Sequence, residues 1–323
     1  MALSRLLSAR LVAGTLFAAT ALAVLPAAAD AAPGHFRGVV PANTPAGRAY
    51  AKLHSARRVS NLNYYGGPVM HTDANYAIYW DPSGLLASSQ GYASLINPYF
   101  SNVAAASSLS TNVYAVAKQY YDSGGHAFSS GAIAGRAFSD TDPYPASGCR
   151  AAAKCITDAQ LQTELKTFLG ANGLPSDLNT MYFVYFPSGV ATCFNSSGSQ
   201  CSTNTYCAYH SSYAIGTSTT LYANMPYAGV SGCESGQYPN GSVAGDSALN
   251  LTSHENIEAI TDPLGNAWYD SSGSEIGDKC AWNFGSQVGS TSSGEYNQAI
   301  GSGGYYWLQQ EWSNAISGCA LQM

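Results

Sequence analysis

A chain of 323 residues is long enough to bury a large core, and a hydrophobic content of 46% excludes general disorder. Only 10% of its residues are charged, against roughly 25% in ordinary globular domains. The net charge of −6 gives no basic footprint for a phosphate backbone, which excludes nucleic acid as the expected partner, and the 23 tyrosines point to a surface built from hydroxyls and amides, as suits an exported protein.

Arg5 and Arg10 precede an apolar run from Leu11 to Leu25, and small residues from Ala27 to Ala32 follow, in the order of a secretory signal. Residues 1–31 therefore read as a signal peptide cleaved between Ala29 and Ala32. Its apolar stretch falls short of the roughly 20 residues that span a bilayer, and no later stretch qualifies, so no membrane span is expected. Residues 32–60 are rich in Pro, Ala and Arg without a sustained period and read as a linker or short pro-segment, with the folded domain expected over 61–323.

Within that domain, Tyr76–Trp80 is a short β-rich run, and Leu85–Ser107 has apolar residues at helical spacing. Asn112–Tyr121 reads as a strand that Ala132–Phe138 could pair with. Leu161, Leu165 and Phe168 predict a helix over Thr157–Leu169. Met181–Phe186, Tyr206–Tyr213 and Thr220–Tyr227 read as strands, Asp246–Thr261 as a late helix capped by Asp246 and stopped before Pro263, and Tyr305–Trp312 as strand-like. No internal repeat is present, which disfavours solenoids and propellers. These elements predict a single α+β domain with a mixed sheet, a backing helix and a late helix.

All eight cysteines lie at or after Cys149, an even number that an oxidising compartment converts to disulfides. Eight cysteines allow 105 connectivities. Short loops suggest Cys149 with Cys155 and Cys193 with Cys201, leaving Cys207 with Cys233 and Cys280 with Cys319. No CxxC pair occurs, which disfavours a thiolate zinc ribbon.

Acidic residues are unevenly spread. Seven of the nineteen (Asp246, Glu255, Glu258, Asp262, Asp270, Glu275, Asp278) fall between residues 246 and 278, a window without Lys or Arg. On a helix, His254, Glu255, Glu258 and Asp262 share one face, with Leu249, Ile257 and Ile260 opposite. Like charges at that spacing repel unless something offsets them, and a divalent cation would. His254 and Glu258, at i and i+4, can ligate one metal as the histidines of a HExxH helix do. Glu255 would then serve as general base toward a metal-activated water, the route to amide hydrolysis. Glu275 and Asp278 supply further ligands from the following loop, with Asp262 and His210 in reserve. A solvated helix face is the plain alternative. Calcium suits carboxylates, whereas His254 favours zinc. No GxSxG elbow occurs. The same carboxylates could serve glycoside hydrolysis, and His71 and His126 read as structural or surface residues.

Tyr65-Gly66-Gly67-Pro68-Val69, Ile78-Tyr79-Trp80, Tyr206-Cys207-Ala208-Tyr209-His210, SHENIEAITDPLGNAWYD from Ser253, EIGDKC from Glu275 and YYWLQQEWSN from Tyr305 together resemble the successive motifs of the EXORDIUM (phosphate-induced protein 1) family. The resemblance covers residues 61–314 in patches and is strongest from Ser253 to Cys280. It implies a secreted, extracellular or cell-wall-associated protein more than a particular reaction, and it groups His254, Glu255, Glu258, Glu275 and Asp278 into one site. The chain is also similar to zincin metallopeptidases in its order of strands, backing helix and late HExx helix, while Glu258 stands where those enzymes carry a second His. The combined expectation is a zincin-like metal-dependent hydrolase, a peptidase acting on peptide or cell-wall polymer. The alternative is a non-catalytic extracellular protein with structural Ca²⁺ and glycan contacts.

Overall fold

The structure, a computed structural model, describes residues 38–54, 60–88, 91–128 and 132–323. The expected signal peptide lies outside the described residues. Six strands make one mixed sheet: β1 (Val39–Pro41), β2 (Asp73–Trp80), β3 (Ala132–Asp140), β4 (Thr180–Tyr185), β5 (Tyr206–Ile215) and β6 (Ser218–Met225). Their order is β1-β5-β6-β4-β2-β3. The β6-β4-β2-β3 part is parallel, while β5 runs antiparallel to β6 and β1 antiparallel to β5. Central strands buried on both faces read as continuous apolar runs rather than alternating ones, as TMYFVY in β4 does.

Among the described residues, five α-helices accompany the sheet: α1 (Pro45–His54), α2 (Leu85–Ser88), α3 (Tyr92–Ala106), α4 (Asp158–Asn172) and α5 (Val243–Thr261). Tyr79, Phe183, Tyr185 and Ala223 point to one side, where they join a core with Ile96 and Phe100 of α3 and Ile257 and Ile260 of α5. Ile78, Trp80, Tyr182 and Val184 point to the other, against Leu161, Leu165 and Leu169 of α4. Each such buried leucine stabilises by about 1.5–3 kcal/mol. The period-2 alternation of the strands thus builds a three-layer α+β domain.

Local chemistry sets the helix ends. Thr157 and Gln160 form a reciprocal capping box at α4. At α5 the cap is Ser242, whose hydroxyl accepts from Gly245 N–H, so the helix starts earlier than an Asp246 cap implies. The helical run expected over Leu85–Ser107 divides into α2 and α3, with Gly91 at a left-handed φ of 65° just before α3. The strand expected at Asn112–Tyr121 is instead a 3₁₀ helix, Val113–Gln119. Asn112 Oδ1 accepts from Tyr114 N–H at 3.1 Å and Gln298 Oε1 from Val113 N–H at 3.0 Å, so these donors are satisfied without a ladder. β3 pairs with β2 rather than with that segment.

The boundary at residue 61 also moves. β1 and α1 lie within the segment read as a linker or pro-segment, yet Val39, Val40 and Ala42 are core residues and β1 forms a sheet edge. Ala42 N–H donates to Thr205 O and Asn43 N–H to Gly232 O, continuing the attachment. Four disulfides join Cys149–Cys155, Cys193–Cys201, Cys207–Cys233 and Cys280–Cys319. After α5 the chain builds short ribbons; the stretch read as one strand at Tyr305–Trp312 contributes to two, through Gly304–Tyr306 and Glu311–Ser313. No described helix is long and apolar enough to cross a membrane.

Candidate metal centre

α5 has no solvated face. From Ala248 to Asp262 every residue is buried, and His254, Glu255 and Glu258 are each 0% exposed. The apolar stripe meets the sheet-side core and the polar stripe meets other protein, which excludes the plain alternative of a charged face in water. Burying carboxylates without donors or counterions is costly, so the polar stripe has to be explained by what surrounds it.

Three elements converge there. β5 brings His210, because Ala208 and His210 project to the α5 side of the sheet while Tyr209 projects to the α4 side. The loop after α5 brings Glu275 and Asp278. His254 Nε2 lies 3.1 Å from Glu258 Oε1 and 4.0 Å from Asp278 Oδ1. His210 Nδ1 lies 3.2 Å from Glu255 Oε2 and 3.8 Å from Glu258 Oε2, and His210 Nε2 lies 3.7 Å from Glu275 Oε2. Glu258 is therefore shared by two groups with metal-ligand spacing, His254–Glu258–Asp278 and His210–Glu255–Glu258. Ligand atoms held at about 2.0–2.1 Å by a tetrahedral zinc lie roughly 3.3 Å apart, and these separations bracket that value.

Each carboxylate of the acidic window can now be placed. Glu255, Glu258, Glu275 and Asp278 gather around the two histidines. Asp262 caps the turn after α5, its Oδ1 accepting from Asn266 and Ala267 N–H, and Asp246 accepts from Asn240 and Ser242 at the other end of the helix. Asp270 pairs with Lys279 at 3.1 Å. His210 moves from reserve into the cluster, and it is His210 rather than His254 that meets Glu275.

Two groups that the motif reading did not single out complete the surroundings. The Gln309 side-chain amide lies 2.5 Å from His254 Nδ1, fixing the ring from behind. Glu311, fully buried, lies near enough for the His254 charge to act on its carboxyl. Both sit in the YYWLQQEWSN stretch, as two of three consecutive polar residues between the apolar Leu308 and Trp312. Backbone approach is also tight. A Cβ on Gly277 would stand 2.7 Å from His254 Nδ1, and Gly277 and Asp278 N–H both donate to Glu258 Oε1. The motif stretches meet elsewhere too, with Gly67 N–H donating to Asn266 O and Tyr65 stacked on Tyr269 at 3.9 Å.

Electrostatics follow from this crowding. Burial pushes Glu255 up to about 7 against the opposing pull of His210 and His254. Burial would also raise Glu258, but the His254 charge and hydrogen bond outweigh it and hold Glu258 below the carboxylate range. Asp278 is pushed well up by burial and then by Glu258. Burial works to lower both imidazoles, yet His254 is pushed well up by Glu258 and His210 is raised by Glu255. Protons are thus shared across a cluster that carries more carboxyls than imidazoles.

The donor set fits a divalent cation. Glu255 Oε1 and Glu258 Oε2 are buried atoms with no hydrogen bond, and with His254 Nε2, 3.1 Å from Glu258 Oε1, they are the atoms on which a cation would draw. Mixed imidazole and carboxylate ligands suit zinc, and an excess of carboxylate oxygens suits calcium. A second group, Asp140, Asp142 and Glu164, gathers by α4 and includes the exposed Asp142. His71 pairs with Asp122 at 3.0 Å and His126 with the Lys118 carbonyl, both apart from the centre. No protein-family model, curated protein or solved structure matches the chain.

Proposed function

We propose that this chain is a secreted metal-dependent hydrolase, a peptidase, with His254, Glu258 and Asp278 as metal ligands, Glu275 and His210 completing the centre, and Glu255 as general base. One observation carries the reading: four carboxylates of an acid-only sequence window, Glu255, Glu258, Glu275 and Asp278, gather with two buried imidazoles, and buried carboxylate oxygens of Glu255 and Glu258 lack hydrogen bonds. Zinc is the preferred ion because both histidines take part. Such an ion supplies Lewis acidity, lowering the pKa of a water and polarising a carbonyl. Glu255, poised near 7 and bonded to His210 at 3.2 Å, is placed to accept a proton and return it. Gln309 holds the His254 ring, and Gly277 N–H and Asp278 N–H hold the Glu258 carboxylate.

The arrangement is zincin-like in this proposal: a HExx helix packs under a mixed sheet whose antiparallel strand β5 lies nearest the site, and later carboxylates follow the helix. The EXORDIUM resemblance belongs to the same proposal, since its stretches contain His210, His254, Glu255, Glu258, Glu275, Asp278, Gln309 and Glu311. The four disulfides support an oxidising destination.

The complete burial of Glu255, Glu258 and Glu275 favours a second reading, a structural Ca²⁺ in a non-catalytic extracellular or wall-associated protein. The exposed Tyr64, Tyr65 and Tyr121 would then serve glycan contacts. Elemental analysis of the purified protein separates the two ions. Wild type and Glu255→Gln, each assayed on a broad peptide library with and without chelator, decide on catalysis. Hydrolysis only by metal-replete wild type supports the peptidase, and identical traces in all four arms remove it.

A further inference from the structure

We infer that the segment 38–54 is a built-in cover over this centre and that the site works only when β1 lifts away; the inference rests on the metal-hydrolase reading and concerns how that site is opened. A hydrolytic centre has to admit substrate, yet His210 is 4% exposed and His254, Glu255, Glu258 and Glu275 are 0% exposed. What closes it can be identified. Gly38 lies so close that a Cβ there would stand 1.9 Å from His210 Cε1 and 2.8 Å from Glu258 Oε2. Its carbonyl accepts the His210 N–H at 3.2 Å, and its φ of 61° is one that side chains other than glycine rarely adopt. The backbone at residue 38 is thus laid directly on the ligand cluster.

Among the elements around the cluster, α5, β5 and the 275–280 loop carry the ligands, and the loop is fixed by the Cys280–Cys319 disulfide. β1 carries no ligand, and all four disulfides lie outside segment 38–54. It is three residues long, sits at the sheet edge and shifts register between Val40 and Pro41. An edge strand of that length is the part of a sheet most easily exchanged.

Charge reinforces the placement. Segment 38–54 carries Arg48 and Lys52 and no acidic residue, opposite in sign to the acid-only window from 246 to 278. Being attached to the same chain, the segment is held on the centre by high effective concentration. Its hold is moderate: Val39, Val40 and Ala42 are buried, and Trp282 Nε1–H donates to Pro41 O at 3.0 Å.

The test compares three full-length, zinc-loaded proteins: wild type, Gly38→Ala, and the pair Val40→Cys with Ala208→Cys. The last two positions face each other in register, so an oxidised pair pins β1 to β5. Zinc release to a chelator and turnover of an unstructured peptide library are both recorded. With access limited by the fraction of open molecules, Gly38→Ala should release zinc and turn over roughly tenfold faster than wild type, and the pinned protein roughly tenfold slower or not at all. Should Gly38→Ala fail to fold, the pinned protein decides alone. A pinned protein that binds zinc and matches wild type in both rates overturns the cover while leaving the hydrolase reading intact. Absence of stoichiometric zinc from all three overturns the hydrolase reading, and the cover falls with it.

Discussion

α4 and α5 pack on opposite faces of the same sheet, and each buries acid, but in different company. Asp158, in the first turn of α4, accepts from Tyr209 Oη at 2.7 Å, Tyr222 Oη at 2.5 Å and Gln162 Nε2 at 2.7 Å. That is a structural carboxylate, furnished with neutral donors from the strands it touches. Across the sheet, Glu255 and Glu258 face two imidazoles and further carboxyls, and each keeps one buried oxygen without a hydrogen bond. A fold that needs only a buried polar anchor supplies hydroxyls; one that places acids against acids leaves room for a cation.

The contrast breaks most sharply at Glu255. Glu255→Gln should lower kcat/KM on a responsive peptide by about 10²–10⁴-fold, the usual range for a lost general base, with bound metal unchanged. If turnover survives, α5 is no more catalytic than α4. The next largest effect is on stability. Chelation should destabilise wild type by about 4 kcal/mol relative to protein with metal at a thousand times its Kd, measured by urea unfolding. His254→Ala should make unfolding indifferent to chelator, whereas Asp158→Asn should leave the chelator response intact.

Asp73 sharpens the comparison through pH. It is fully buried on the α5 side, accepts from Asn75 and Asn256, and is pushed up by burial to about 6. Because its folded pKa lies above the unfolded value, its contribution to stability is complete below pH 4 and is lost as pH rises through about 6. That difference corresponds to about 3 kcal/mol at most. Asp73→Asn should therefore flatten the fall in stability between pH 4 and pH 6 relative to wild type. The smallest effect belongs to α4: Tyr222→Phe, which leaves Tyr209 and Gln162 on Asp158, should cost about 1–2 kcal/mol and leave metal content untouched.

Legibility in the sequence followed the range of the interactions involved. Short loops suggest the Cys149–Cys155 and Cys193–Cys201 disulfides, the α4 cap sits at Thr157 beside its helix, and the polar stripe of α5 obeys helical period, all local patterns, while Cys207–Cys233 and Cys280–Cys319 follow only as the pairs left over. His210 reaches Glu255 across 45 residues, so neither periodicity nor spacing could rank it above a reserve. Gln309 and Glu311 arrive from a short ribbon whose position depends on the Cys280–Cys319 bridge. Val113–Gln119 carries strand-forming residues, but Asn112 and Gln298 satisfy its first N–H groups, and tertiary partners overrode propensity. The 38–54 segment lacks a period because β1 is too short to show one, and its partners, β5, Gly232 and Trp282, lie more than 150 residues further along the chain.

The Cys280–Cys319 bridge reaches further than its thermodynamic share. It ties the stretch bearing Glu275 and Asp278 to the ribbon that leads back to Glu311 and Gln309, adding a covalent link to the hydrogen bonds from Trp312 N–H to Ile276 O and from Gln309 Nε2–H to Gly277 O that join the same two sides of the cluster. In a reducing, thiol-rich medium the covalent link would open and only those hydrogen bonds would remain. Reduction should therefore loosen the spacing of the clustered carboxyls and imidazoles, and reoxidation should restore it.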